Sequence, residues 1–368
     1  MKRSVSEYGR GAPSRSPWPF GTRASRSPWP FGTRASRSPW PFVAGTAVGA
    51  LGVGLIVRSF LPQRFRLDNW YAEPAEQFTQ NASHNGLVAE LPEVEVSILR
   101  CGTQTVPEWV AVRGGLFSPV DIAHSAVLVR HPRATFLYDT GLCNDISLYL
   151  ANQSWFFRKT LGNFVLEQSL SGHLKSLGLE RGGIDFALLS HLHWDHVSGV
   201  PDILGVPLLV NRLEYEAAQL GLFDAFQALV RRLMGNNPLE FFDFAGPPYE
   251  GFRSSHDLFG DGSIVLVPLP GHTAGHTGMF INRIRSSGGQ RAFLLGDAAW
   301  VAANYQRPAT MHPLIWNTVS SDDATGRDTL IHLHHYAQAH PETALIAMHD
   351  GAAQQQFMRC IQPVFVRN

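Results

Sequence analysis

Residues 186–196 read Phe-Ala-Leu-Leu-Ser-His-Leu-His-Trp-Asp-His. The first five, Phe186 to Ser190, form a mostly apolar run of strand length. The next six hold four side chains able to ligate a metal: His191, His193, Asp195 and His196. Neutral imidazole and carboxylate are the usual ligands of zinc and similar divalent ions. In a turn after a strand, residues i and i+2 can converge on one ion, which leaves Asp195 and His196 to face a second position beside it. Burying four such groups with nothing bound would leave costly unpaired polar atoms.

The same relation of strand to polar cluster recurs along the chain. Strands are expected at Val94–Arg100, Ser125–Arg130, Thr135–Tyr138, Phe186–Ser190, Pro207–Val210, Ser263–Pro268, Ala292–Leu295 and Ala344–Met348. Helices are expected near Phe164–Leu177, Arg212–Gln219 and Asp328–Gln338. This mixture predicts an α/β or α+β layered domain from about Glu93 to the C-terminus, residues 93–368. Asp139–Gly141, His191–His196, Pro270–His276, Gly296–Ala299 and His349–Asp350 each follow one of those strands closely. Strand ends along one sheet edge are where such domains build sites. Five clusters in that relation predict one shared site. His272 and His349 can complete two ligand sets, and Asp297 can bridge them.

Other histidines read differently. His332, His334 and His335 fall on a helical pattern with no acid at ligand spacing, which predicts a solvated helix face. His276 is expected to be structural rather than to orient a ligand, and His124, His173 and His312 carry no site signal. Cys101, Cys143 and Cys360 lack paired spacing, so neither a disulfide framework nor a cysteine metal cluster is expected. They read as small buried apolar groups.

Charge is uneven along the chain. Residues 1–66 hold eleven basic residues and one acid, Glu7, for a net +10; the 30 basic and 30 acidic residues of the whole chain balance, so the remainder is net −10. An acidic body with only Lys159 and Lys175 after residue 66 is a poor match for nucleic acid.

The first 42 residues carry an eleven-residue repeat, SRSPWPFGTRA, at Ser14–Ala24 and Ser25–Ala35, with a partial copy at Ser36–Phe42. Its prolines and glycines predict no packed repeat. Val43–Val57 is an uncharged, mostly apolar run inside a segment 43–60. With Trp40–Phe42 it reaches eighteen residues, against the roughly 17–25 needed to span a bilayer. The basic leader predicts membrane attachment through 43–57 with the enzyme outside the cytoplasm; the alternative is a cytoplasmic protein. Residues 61–92 read as a linker.

Taken in order, HLHWDH at 191–196, PGHTAGH at 270–276, the GD ending at Asp297 and the HD beginning at His349 resemble the metallo-β-lactamase superfamily. The resemblance covers about Glu93 to the C-terminus, and DTG at 139–141 fits it. It implies a four-layer αββα sandwich, two sheets face to face with helices outside and metals at one edge. It implies that His191, His193 and His272 hold a first metal, that Asp195, His196 and His349 hold a second, and that Asp297 bridges them. The antibiotic-hydrolysing branch has cysteine at the step of Asp297, so β-lactam hydrolysis is not expected. SAVLVRHPRATFLYDTG (Ser125–Gly141) and PGHTAGH most resemble the N-acyl homoserine lactone lactonases. Those enzymes usually place a tyrosine three residues after the bridging aspartate. Here that position is Trp300, whose indole N–H donates a hydrogen bond but has no proton to give up near neutral pH.

The expected function is therefore a hydrolase with two divalent ions, zinc first among them, opening a carboxylic ester or lactone of a small molecule with a hydroxide shared between the metals. Asp195 and Trp300 are the candidate catalytic side chains, Asp195 to orient the nucleophile or pass a proton. Ser154–Phe157 and Leu222–Phe226 can line an acyl pocket, although core is the expected role. Two other activities on such a scaffold are oxidation of persulfides at a single iron and hydrolysis of phosphodiesters. The full set of seven ligands favours two metals. The sequence names neither the substrate nor an oligomeric state.

Overall fold

Long β-rich runs with buried residues on both faces demand cover on both sides, and the chain meets that demand with two sheets. The strands are β1 (Glu95–Pro107), β2 (Pro119–His131), β3 (Ala134–Tyr138), β4 (Val165–Leu166), β5 (Phe186–Leu188), β6 (Leu208–Asn211), β7 (Leu239–Phe242), β8 (His256–Asp257), β9 (Ile264–Pro268), β10 (Thr277–Ile281), β11 (Arg291–Leu294) and β12 (Thr343–Ile346). One sheet has the order β4-β1-β2-β3-β5-β6-β7 and the other β12-β11-β10-β9-β8. The structure is a computed structural model and describes residues 60–61, 91–180, 182–218, 225–284 and 290–361. The repeat, the apolar run 43–57 and all but the ends of the linker lie outside the described residues. Among the described residues, no helix is long and apolar enough to cross a membrane.

Side-chain alternation sorts each strand into two faces. On the first sheet, Leu128, Leu137, Ala187 and Val210 join Leu170, Leu174, Leu229 and Leu233 in one cluster, so this face is covered by the helices Leu170–Ser176 and Ala225–Met234. On the second sheet, Val267, Phe280, Phe293 and Leu345 pack with Leu330, Leu333 and Tyr336 of the helix Asp323–Ala339. The residues between them, such as Tyr138 and Leu188 on one sheet and Leu266, Met279 and Leu294 on the other, are also buried. The two sheets cover each other on these faces, and the Tyr138 hydroxyl crosses the gap to donate to Thr277 O at 2.7 Å. The order is helix, sheet, sheet, helix, as the motif resemblance implied.

Each of the eight expected strands is present within a few residues of its predicted bounds, and β1 and β2 are longer than expected. The expected helix over Phe164–Leu177 is corrected. Val165–Leu166 pairs with Gly102 and Thr103 as β4, and the helix begins only after Ser169, whose hydroxyl caps Gly172 N at 3.2 Å. The strands β7, β8 and β10 are additional to those expected from sequence. The histidine-rich face of the helix Asp323–Ala339 is not solvated as expected. His332 is buried with its ring 4.5 Å from that of Phe252, and His334 Nδ1 donates to Tyr305 O at 2.9 Å.

Strand direction places the site. β3, β5 and β6 run parallel. In the second sheet β10 runs against both β9 and β11, while β12 is parallel to β11, so β9, β11 and β12 share one direction. The five polar clusters all lie at or just beyond the carboxyl ends of β3, β5, β9, β11 and β12.

Candidate metal centre

His191 stands three residues beyond β5, His193 precedes the short helix Trp194–Val197, and Asp195 and His196 lie within it. His272 stands in the loop between β9 and β10, Asp297 just beyond β11, and His349 just beyond β12. The fold brings all seven together. His193 Nδ1 lies 3.1 Å from His191 Nε2 and 2.9 Å from His272 Nε2. Asp297 Oδ2 is 3.5 Å from His272 Nε2 and 4.0 Å from His191 Nε2. Its other oxygen, Oδ1, is 3.2 Å from His196 Nε2 and 3.1 Å from His349 Nε2. His349 Nε2 in turn lies 3.4 Å from Asp195 Oδ2. Asp297 Oδ2 also lies 3.2 Å from His349 Nε2, so Asp297 stands between both sets of candidate ligands.

His193 Nδ1 is about 3 Å from each of the other two imidazole nitrogens, and all three lie within 4.8 Å of one another; this is near the spacing of ligands around one small ion, since tetrahedral Zn–N bonds of about 2.0 Å put neighbouring nitrogens about 3.3 Å apart. His196 Nε2 and Asp297 Oδ1 are buried and make no hydrogen bond, which is costly unless a further partner is present. Such donors fit a divalent ion.

The imidazoles are aimed from behind. His196 Nδ1 donates to Asp139 Oδ2 at 2.7 Å. His191 Nδ1 donates to Ser190 Oγ at 3.0 Å, and Ser190 Oγ donates to Asp139 Oδ2 at 2.9 Å. His349 Nδ1 donates to Ala123 O at 2.6 Å. In each ring the proton sits on Nδ1, which leaves the Nε2 lone pair facing the centre. Asp139 takes the left-handed backbone at φ 55°, a conformation that aspartate tolerates better than most residues.

Electrostatics separates the two halves. Burial, reinforced by the neighbouring histidines, holds His191 and His272 well below the usual imidazole range, and burial lowers His193 as well. His196 and His349 are also buried, but the carboxylates outweigh burial and hold them above the usual range, Asp297 most of all. Asp297 is driven well below the carboxylate range despite its burial, by His349 and then His196.

Three residues act here that the sequence reading missed. Glu214, buried on the helix Arg212–Ala218, accepts from Leu192 N at 2.8 Å and Gly275 N at 3.0 Å. It ties the two histidine loops together. Gly275 must lack a side chain, because a Cβ there would meet Glu214 N at 2.2 Å. His276, expected to be structural, accepts from Asp297 N at 2.9 Å and so positions Asp297; Gly296 beside it has φ 53° and no room for a Cβ. His124, given no role from sequence, has Nδ1 3.6 Å from Asp195 Oδ2. No sequence motif marks Glu214 or His124.

Trp300 is buried and donates through Nε1 to Asp297 Oδ2 at 2.9 Å. Its own backbone is held by Asn304 Oδ1, which accepts from Trp300 N at 3.0 Å. Tyr305 does not replace a site tyrosine: its hydroxyl points to Leu345 O, 3.5 Å away, in the second sheet. Phe157 is core, but Trp155 and Phe156 are 67% and 70% exposed, against the expectation of burial. Leu222–Asp224 lie outside the described residues. Cys101 and Cys143 are buried as expected, whereas Cys360 is exposed.

A family model for the metallo-beta-lactamase superfamily matches residues 120–335, more than half of the chain. The chain belongs to the metallo-β-lactamase superfamily. Within the superfamily, it is 24% identical over 286 residues to a probable metallo-hydrolase of Mycobacterium bovis, covering 71% of this chain and 82% of that protein. It is 26% identical over 290 residues to the N-acyl homoserine lactonase AiiB of Agrobacterium fabrum, covering 75% of this chain and 95% of that one. A solved N-acyl homoserine lactone hydrolase, with the product N-hexanoyl-L-homoserine at its catalytic metal centre, superposes with a TM-score of 0.55 at 17% identity. That superposition covers 74% of this chain and 98% of the other. The shared fold is the metallo-β-lactamase fold expected from the motifs.

Proposed function

We propose that the chain is a hydrolase that uses two divalent ions, zinc foremost, to open a carboxylic ester or lactone of a small molecule. His191, His193 and His272 would hold one ion, Asp195, His196 and His349 the other, and Asp297 would serve both. The observation that carries this reading is the position of Asp297 between the two sets: its Oδ2 lies 3.5 Å from His272 and 3.2 Å from His349, and its Oδ1 within 3.2 Å of His196 and His349.

Ions bound there would make water nucleophilic near neutral pH and polarise a carbonyl oxygen. The chain's own residues do the rest. Asp139 fixes the protons of His196 and, through Ser190, of His191 on Nδ1. Trp300 holds Asp297 Oδ2 in place without offering a proton. Asp195, 14% exposed against 3% for Asp297, is the more accessible carboxylate and is the one to orient the nucleophile and move its proton.

The lactone or ester bond is favoured by the likeness to named lactonases. A cavity of about 490 Å³ supports a small substrate with an apolar part. Ile146, Leu150, Arg158 and Phe164 are among the residues that line it. Phe164 also meets His124 at 5.4 Å between ring centroids, although none of the seven candidate ligands lines this cavity.

The test is elemental analysis of the purified full chain together with turnover of a panel of lactones and aryl esters. About two zinc ions per chain, with turnover lost in Asp297→Ala, supports the proposal. About one iron per chain and no hydrolysis sinks it and points to sulfur oxidation.

A further inference from the structure

His124 lies on β2, one residue after Ala123, whose carbonyl holds His349. Its side chain is 3% exposed, and neither ring nitrogen makes a hydrogen bond. A neutral imidazole carries one donor and one acceptor, so burial with both unmet is costly. Its ring neighbours Phe164 and Trp194, at 5.4 and 5.8 Å between centroids, give its nitrogens no hydrogen bond. On its remaining side stand Asp195, with Oδ2 3.6 Å from Nδ1, and His349, 5.4 Å between centroids at a steep angle of 80°. One donor atom each from His124, Asp195 and His349 lies within 4.8 Å of the other two.

A histidine that served only to brace Asp195 would sit at hydrogen-bond distance from it, as His196 does from Asp139 at 2.7 Å. His124 instead stands back from Asp195 by the separation of two groups that share an ion. We propose that His124 is an additional protein ligand of the ion held by Asp195 and His349, an eighth residue of the metal centre. The inference rests on the two-ion reading above. Its chemical consequence is that this ion is held by one more imidazole, binds more tightly, and keeps one position fewer for substrate oxygen.

The test is proton NMR of the full chain loaded with cobalt(II). Each imidazole that ligates through one nitrogen carries an exchangeable N–H on the other, which the paramagnetic ion shifts far outside the normal range. Six such signals are expected in the wild-type chain, from His124, His191, His193, His196, His272 and His349, and five in His124→Asn. Asparagine keeps a polar group near the place of Nδ1 but is a poor ligand. A chelator titration should also show the second cobalt weakened by at least about tenfold in that variant, with the first unchanged. Five signals in the wild-type chain, a count that does not depend on the variant folding, would overturn the proposal while leaving the two-ion reading intact. No shifted signals at all would overturn that reading and this proposal with it.

Discussion

Trp300 Nε1 donates to Asp297 Oδ2 at 2.9 Å, so the tryptophan three residues after Asp297 holds that carboxylate in place. Its indole also packs across the ring of His349 at 5.3 Å. Trp300→Phe keeps an aromatic ring but removes the donor. The expected result is metal affinity lower by about 10- to 100-fold, with the fold retained. Chelator competition followed by zinc analysis reads this directly; an affinity equal to that of the unaltered chain would show that the indole does not support the carboxylate.

Asp139 is predicted to control which nitrogen of His196 faces the centre. Asp139→Asn preserves size and tolerates the φ of 55°, yet an amide has one acceptor oxygen where the carboxylate uses two, Oδ2 for His196 Nδ1 and Ser190 Oγ and Oδ1 for Ser190 N. Zinc affinity should fall by about 10- to 100-fold, with unchanged circular dichroism. Wild-type affinity in this variant would remove Asp139 from the account of the site.

Glu214 is predicted to matter for stability first and for metal second. Glu214→Ala leaves Leu192 N and Gly275 N without their partner in a buried place. Each unmet donor costs about 1–3 kcal/mol. A thermal midpoint lower by at least about 4 °C is expected in calorimetry of the metal-free protein. A midpoint within a degree of the parent would mean that the two loops hold their shape without the carboxylate.

Acid should destabilise the metal-free chain through its buried histidines. Burial lowers the His332 imidazole from 6.5 to about 4 and that of His276 to about 3. The folded state keeps them neutral while the unfolded chain takes protons below 6.5, so stability is full above that pH and falls as pH drops toward 4. His196 and His349, held above the usual range by Asp297, act in the opposite sense and offset part of the loss. His332→Gln isolates one contribution. Urea titrations at pH 7 and pH 5 should show that the parent loses about 2 kcal/mol more than the variant over that interval. Equal losses would refute the assignment.

The sequence by itself determined the seven candidate metal ligands as a group. Four of them fall within six residues after a strand, and the other three follow strands whose apolar runs are plain to read. Local chemistry and strand periodicity are properties of neighbouring residues, so they survive in the one-dimensional chain. It also determined the layered α/β class, because each strand run carries its own pattern.

What only the tertiary structure decided is which further side chains meet the candidate ligands. Glu214, His276 and His124 come from a helix, a loop and a strand that meet only when the sheets are stacked, and no spacing in the sequence announces a meeting across 61 residues, as between Glu214 and Gly275. The same holds for Trp300. Its position marked it as a departure from the lactonase pattern, but its role depends on the direction of one N–H, which the packing of Asn304, Asp297 and His349 around it fixes. Burial turned His332 from a surface residue into a buried one for a like reason: a helix pattern gives the face, but the partner sheet decides how far that face extends.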